Sequence, residues 1–168
     1  VLPDYIQALM DYTMNGRTTE PTGNRDYYRR APCGVYRCKG PDRWIAIHVT
    51  TDAEWDGLCA AMGDPAWFSD ERFADSLGRY KNHDELDRLI EAWTKEHDHI
   101  ALTWLLQEYS VPAGPVLDAR DCFNDPQLKE RGYFQPLAQE DCGTHLYPST
   151  PWKFTKTPVQ LKLPPCRL

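Results

Sequence analysis

Residues 35–63 read VYRCKGPDRWIAIHVTTDAEWDGLCAAMG, and this stretch decides the fold class. Residues 35–38 and 44–49 carry the β-branched and aromatic side chains of strands. Lys39-Gly40-Pro41-Asp42 between them is turn chemistry, so the two segments are predicted to form a hairpin. In the second strand Ile45, Ile47 and Val49 alternate with Trp44, Ala46 and His48, which gives it two distinct faces. The pattern then changes period. Thr51-Asp52-Ala53-Glu54 is a capping box, in which the hydroxyl takes a backbone N–H and the glutamate reaches back. Trp55, Leu58, Cys59 and Met62 follow at i, i+3, i+4 and i+7, a helical core face, and Gly63 supplies the left-handed stop. Burial of Trp55 and Leu58 contributes roughly 1.5–3 kcal/mol each.

On the N-terminal side, Leu2, Ile6, Leu9, Met10 and Thr13 share one stripe, so 3–15 is expected to be helical, with a leading-helix segment over 1–16. Residues 17–32 are polar and contain Gly and Pro, which suits a linker or functional loop. On the C-terminal side, 64–80 reads as short helical pieces. Asn82-His83-Asp84-Glu85 reads as a second capping signature, with Leu86, Leu89, Ile90 and Trp93 behind it. Asp98 is expected to cap a further helix with Ala101, Trp104, Leu105 and Tyr109 inward. Pro112, Gly114 and Pro115 forbid a regular helix and fix a turn with an extended exit. Asp118 and Asp125-Pro126 start two short helices, and Gly132 ends the second. Residues 133–137 and 144–147 read as strands, and 148–168 as an extended, proline-rich segment. Strands and helices occur without βαβ alternation or a glycine-rich nucleotide loop. The expected class is therefore α+β: a small antiparallel sheet with several packed helices.

Composition narrows the function. The 168 residues suit one domain, and a net charge of -6 disfavours nucleic acid as a partner. No apolar run reaches membrane-spanning length, and no signal peptide is expected from the N-terminal residues. The six cysteines lack Cys-x-x-Cys or zinc-finger spacing, so they read as reduced thiols of a cytoplasmic protein. His97-x-His99 offers too few ligands for a metal, and none is expected. His48 reads as an orienting or surface residue, and His145 has no nucleophile motif beside it. Helix capping accounts for Asp118 more simply than a carboxylate pair with Asp121.

Several stretches together resemble family III CoA-transferases, which include formyl-CoA transferase, the carnitine-linked CoA-transferases and the related methylacyl-CoA racemases. They are Gly23-Asn24-Arg25-Asp26, residues 31–38, Asp42-Arg43-Trp44-Ile45-Ala46-Ile47 and residues 51–63. Asp70-Glu71-Arg72-Phe73, residues 111–116, Asp125-Pro126-Gln127-Leu128 and Pro151-Trp152-Lys153-Phe154 continue the likeness, and residues 164–168 match a late family segment. The resemblance implies that 33–147 is the small domain, and that the chain is the C-terminal part of the enzyme. It implies that the aspartate that attacks acyl-CoA lies in a large nucleotide-fold domain upstream. No catalytic residue is therefore assigned here, no cofactor is expected, and coenzyme A enters as substrate of the complete enzyme. The expected reading is a small domain, inactive alone, that meets acyl-CoA and either a large domain or further copies of itself. The alternative is a non-catalytic acyl-CoA-binding or assembly module.

The resemblance places Gly23, Asn24, Arg25, Tyr28, Arg29 and Arg30 in a loop near CoA, although this chain has Thr22-Gly23-Asn24-Arg25 where formyl-CoA transferase has a run of glycines. It places Pro112, Gly114 and Pro115 at a domain-interface turn. Arg25, Arg29, Arg30, Arg37, Lys39 and Arg43 cluster in sequence with Tyr27 and Tyr28. Two readings of that patch stand: it meets the phosphates or adenine of CoA, or it is a solvated surface that packs on an absent domain.

Overall fold

The computed structural model describes residues 6–18, 21–26 and 28–163. The expectations for Leu2, Tyr27, Cys166 and residues 164–168 lie outside them. The fold is α+β, and the chain divides into two compact units, Val1–Val116 and Leu117–Leu168.

In the first unit the hairpin forms as β1 (Cys33–Arg37) and β2 (Trp44–His48), antiparallel, with Val35 opposite Ala46. A third strand, β3 (Ala113–Val116), pairs antiparallel with the other edge of β2, giving the order β1-β2-β3. Ile45 and Ile47 are buried while Ala46 is exposed, as the alternation requires. Pro115 is tolerated because β3 is an edge strand. His48 N donates to Pro112 O at 3.0 Å, so alternate residues of β3 face β2 and the ring nitrogen of Pro115 turns outward.

α1 (Ile6–Asn15) leads the chain and buries none of its residues, while 17–32 holds no regular element among its described residues. α2 (Asp52–Ala61) begins with the full capping box: Glu54 N donates to Thr51 Oγ1, and Thr51 N donates to Glu54 Oε2. Gly63 closes it at φ +78°. Two short 3-10 turns and α3 (Ser76–Lys81) follow, then α4 (His83–Thr94) and α5 (His99–Glu108). Trp55, Leu58, Phe73, Leu86, Ile90, Leu102 and Leu106 join Ile45, Ile47, Val49 and Val111 in one core. Trp55, Trp67 and Phe68 pack with ring centroids 4.1–6.5 Å apart.

Two expectations are corrected. Asn82 does not cap α4 with its side chain; Nδ2 turns back to Gly78 O at 2.9 Å, because α3 runs into α4 at this residue. On α5 the inward residues are His99, Leu102, Thr103 and Leu106, whereas Trp104 is 61% exposed. The apolar residues of α5 almost encircle it, so spacing alone did not single out a face. Asp98 caps the helix as expected, accepting from Ile100 N and Ala101 N at 3.0 Å.

The second unit holds α6 (Ala119–Asn124), α7 (Pro126–Glu130) and a hairpin of β4 (Phe134–Gln139) with β5 (Gly143–Pro148). Asp118 and Asp125 cap the two helices, with Pro126 in the first turn of α7. Residues 149–163 hold no helix or strand. None of the described residues of this unit is fully buried. A two-stranded hairpin is marginal without more to pack on.

Candidate functional site: a cleft between β1 and α4

The segment 22–26 turns tightly, with Gly23 at φ +65° and Thr22 Oγ1 donating to Arg25 O at 3.1 Å. The turn aims Arg25 at α4. There Asp84 and Asp87, three residues apart, share one helix face. Arg25 Nη2 donates to Asp84 Oδ1 and, at 2.8 Å, to Asp87 Oδ2. The other oxygen of Asp87 accepts from the Tyr36 hydroxyl at 2.8 Å and lies 3.3 Å from His83 Nε2. That same ring nitrogen lies 3.4 Å from Cys33 N. With a proton on Nε2 the ring donates to Asp87; without one it accepts the Cys33 N–H.

These groups surround a cleft of about 290 Å³, with Asn24 and Arg25 on one wall, Cys33 and Val35 of β1, and Arg88 and Glu91 of α4. Burial pushes the Asp87 carboxyl up, but hydrogen bonds from His83, Arg25 and Tyr36 outweigh it and hold the group below the usual aspartate range. The hydrogen bond from Arg25 likewise lowers Asp84, and the hydrogen bond to Asp84 raises Arg25. Burial, and then the negative charge of Asp87, push the Tyr36 hydroxyl up, so it stays a donor. Burial and the charge of Asp26 push the Cys33 thiol up as well. The cleft therefore holds a fixed, largely self-neutralised set of charges and no activated thiol.

Gly23, Asn24 and Arg25 lie at this cleft. The neighbouring arginines go elsewhere: Arg29, at φ +64°, places its guanidinium 5.8 Å from the Tyr80 ring centroid, and Arg30 sits 5.5 Å over Tyr28, itself 63% exposed. Arg37 stacks at 4.6 Å on Trp44, which together with Arg43 and Lys95 borders a separate cavity. Gly114 and Pro115 lie within edge strand β3, and Pro112 immediately precedes it, accepting from His48 N. His97 is engaged with Trp93, its Nδ1 lying 2.8 Å from Trp93 O. Sequence reasoning passed over Asp87, His83 and Glu91. The i, i+4 pair His83/Asp87 was the available signal, but the same spacing marks any exposed helix face.

The chain matches the family model described as CoA-transferase family III over residues 5–168. It is 32% identical over 143 residues to a protein of Chloroflexus aurantiacus named succinyl-CoA–D-citramalate CoA-transferase, covering 82% of this chain and 35% of that one. It is 25% identical over 149 residues to formyl-CoA:oxalate CoA-transferase of a Bradyrhizobium species, covering 86% and 35% respectively. A CaiB/BaiF family protein from Brucella suis matches in structure with TM-score 0.75 and 28% identity, over 94% of this chain and 39% of that one. The chain thus spans about a third of the length of these two sequence relatives. With the family model matched across nearly the whole sequence, the chain belongs to CoA-transferase family III.

Proposed function

We propose that this chain serves CoA transfer between an acyl-CoA and a carboxylic acid, contributing a wall of the acyl-CoA site and a docking surface, while the reacting carboxylate comes from polypeptide outside it. Alone, it does not complete the reaction. The observation that carries this reading is the state of Asp87. Both oxygens of the carboxylate at the centre of the cleft are engaged, one by Arg25 and the other by Tyr36 and His83, so neither is free to attack an acyl-CoA. The thiols of Cys38 and Cys59 are no substitute, since burial pushes them up to about 11 and about 12. The coverage of only about a third of the relatives supports the same division of labour. The substrate is acyl-CoA, with no cofactor or metal of its own. The site of action is the cytoplasm, where the free thiols Cys33, Cys38, Cys59, Cys122 and Cys142 stay reduced. No helix among the described residues is long and apolar enough to cross a membrane.

The purified chain, given succinyl-CoA and a free carboxylic acid, is expected to show no turnover above background, yet to bind CoA measurably by calorimetry. Steady appearance of a new acyl-CoA would overturn the reading.

A docking role has its own support. Ile6, Leu9, Met10 and Met14 of α1 are each more than half exposed. A helix this short is marginal in water without a packing partner. The covering partner in this reading is a large nucleotide-fold domain or a further copy of the chain. Sizing and co-purification with a large-domain polypeptide test it; a plain monomer that ignores that polypeptide would count against it.

A further inference from the structure

The register of β1 leaves one peptide's worth of hydrogen-bonding groups facing the cleft. Along an antiparallel strand, alternate residues turn N–H and C=O to the same neighbour. Cys38 N donates to Arg43 O at 2.8 Å and Val49 N donates to Pro32 O at 2.9 Å. Pro32, Gly34, Tyr36 and Cys38 therefore face β2, and Cys33, Val35 and Arg37 turn their backbone groups to the free edge. Side chains of α4 meet both ends of that edge. His83 Nε2 lies 3.4 Å from Cys33 N, and Thr94 Oγ1 donates to Arg37 O at 2.7 Å. Val35, midway, has no corresponding partner for its outward N–H and C=O among the described residues, and it borders the 290 Å³ cleft. An edge strand whose centre is open in this way is a template for an added amide.

Size and charge narrow the ligand. A volume near 300 Å³ sits at the small end of ligand sites and suits a thin linear chain. Phosphate is disfavoured because the charges at the walls are already paired: Arg25 with Asp84 and Asp87, Arg88 with Glu85, and Glu91 with Lys95. A neutral extended chain with secondary amides matches both the Val35 edge and the walls. Resting on the acyl-CoA reading above, we propose that the cleft takes the linear amide-bearing arm of acyl-CoA, one amide pairing with Val35 N–H and C=O as an extra rung on β1.

The test is amide NMR on the full 168-residue chain with three probes: CoA, pantetheine (the arm without nucleotide) and ADP (nucleotide without the arm). CoA and pantetheine are expected to shift the amides of Val35 and its strand neighbours, and ADP to leave them in place. Val35→Pro, which deletes the N–H at an edge position, should abolish the response, while Val35→Ala keeps it. Should Val35→Pro fail to fold, pantetheine N-methylated at its amides serves instead and is expected to bind at least about fivefold more weakly. If CoA shifts other amides while pantetheine leaves Val35 unmoved, this assignment falls and the acyl-CoA reading survives. If neither ligand shifts any amide at millimolar concentration, both fall.

Discussion

Arg79 Nη2 lies 2.7 Å from Asp52 Oδ1, so a guanidinium only 3% exposed is joined to the first turn of α2. Its other nitrogens donate to Ala31 O and Phe73 O, and its Cζ lies 4.8 Å from the centre of the Trp55 ring. One side chain thus ties the end of the 17–32 segment, the second 3-10 turn and α2 to α3. Arg79→Leu should destabilise the protein by about 2–4 kcal/mol, because it strands two buried carbonyls. Asp52→Asn should cost under about 1 kcal/mol, since the exposed aspartate side of the pair is screened by water and an asparagine oxygen at the same place can still accept from Arg79. Urea midpoints of the two variants check the order; equal losses would mean that the ion pair, not the carbonyl contacts, dominates.

At Gly57, α2 packs tightly against the end of α5. A Cβ built on this glycine would lie 2.3 Å from Tyr109 O, which is backbone and cannot swing aside. Alanine is the better helix former by about 1 kcal/mol, so propensity alone predicts that Gly57→Ala stabilises. The contact should win, with a net loss of about 1–3 kcal/mol. A raised thermal midpoint for Gly57→Ala would show that the two elements separate without cost.

The comparison of sequence and structure turns on which signals were local. Thr51 and Glu54 announced α2 because a capping box is complete within four residues. The alternation of Ile45 and Ile47 gave the faces of β2 for the same reason. The 111–116 segment was legible as extended but not as a strand, because its partner is β2, more than sixty residues earlier. The α5 face failed because Leu102, Trp104, Leu105 and Leu106 are all apolar, and tertiary packing chose among them. At the cleft, Arg25 was noticed as one member of a basic patch with two readings, a contact for CoA or a solvated surface that packs on another domain. Its commitment to Asp84 and Asp87, about sixty residues away, is a tertiary fact that no spacing rule contains.

That commitment makes stability depend on pH with a definite sign. Asp84 and Asp87 both have lowered folded-state pKa values. In the window between folded and unfolded values the unfolded chain binds more protons, so stability rises with pH. The contribution is fully present above the unfolded aspartate value of about 3.9 and is lost as pH falls through the folded values. Arg25→Ala should therefore be less stable than the parent at neutral pH, with the gap closing below about pH 4. A gap that persists into stronger acid would assign the loss to packing of the arginine stem instead.

The thiols give a chemical test of the same electrostatics. Burial, and then the charge of Asp98, push Cys38 up to about 11; burial, and then the charge of Asp56, push Cys59 up to about 12. At pH 8 only about one molecule in a thousand would carry a Cys38 thiolate, and fewer a Cys59 thiolate, while the thiolate is the form that alkylates. Cys142 is exposed. Brief iodoacetamide treatment of the native chain, read by peptide mass mapping, should modify Cys142 before Cys38 and Cys59. Cys38 and Cys59 should follow only after unfolding in urea. Native-state labelling of Cys59 as fast as Cys142 would show that burial does not suppress this thiol, and Cys59 would no longer be excluded as a nucleophile within the chain.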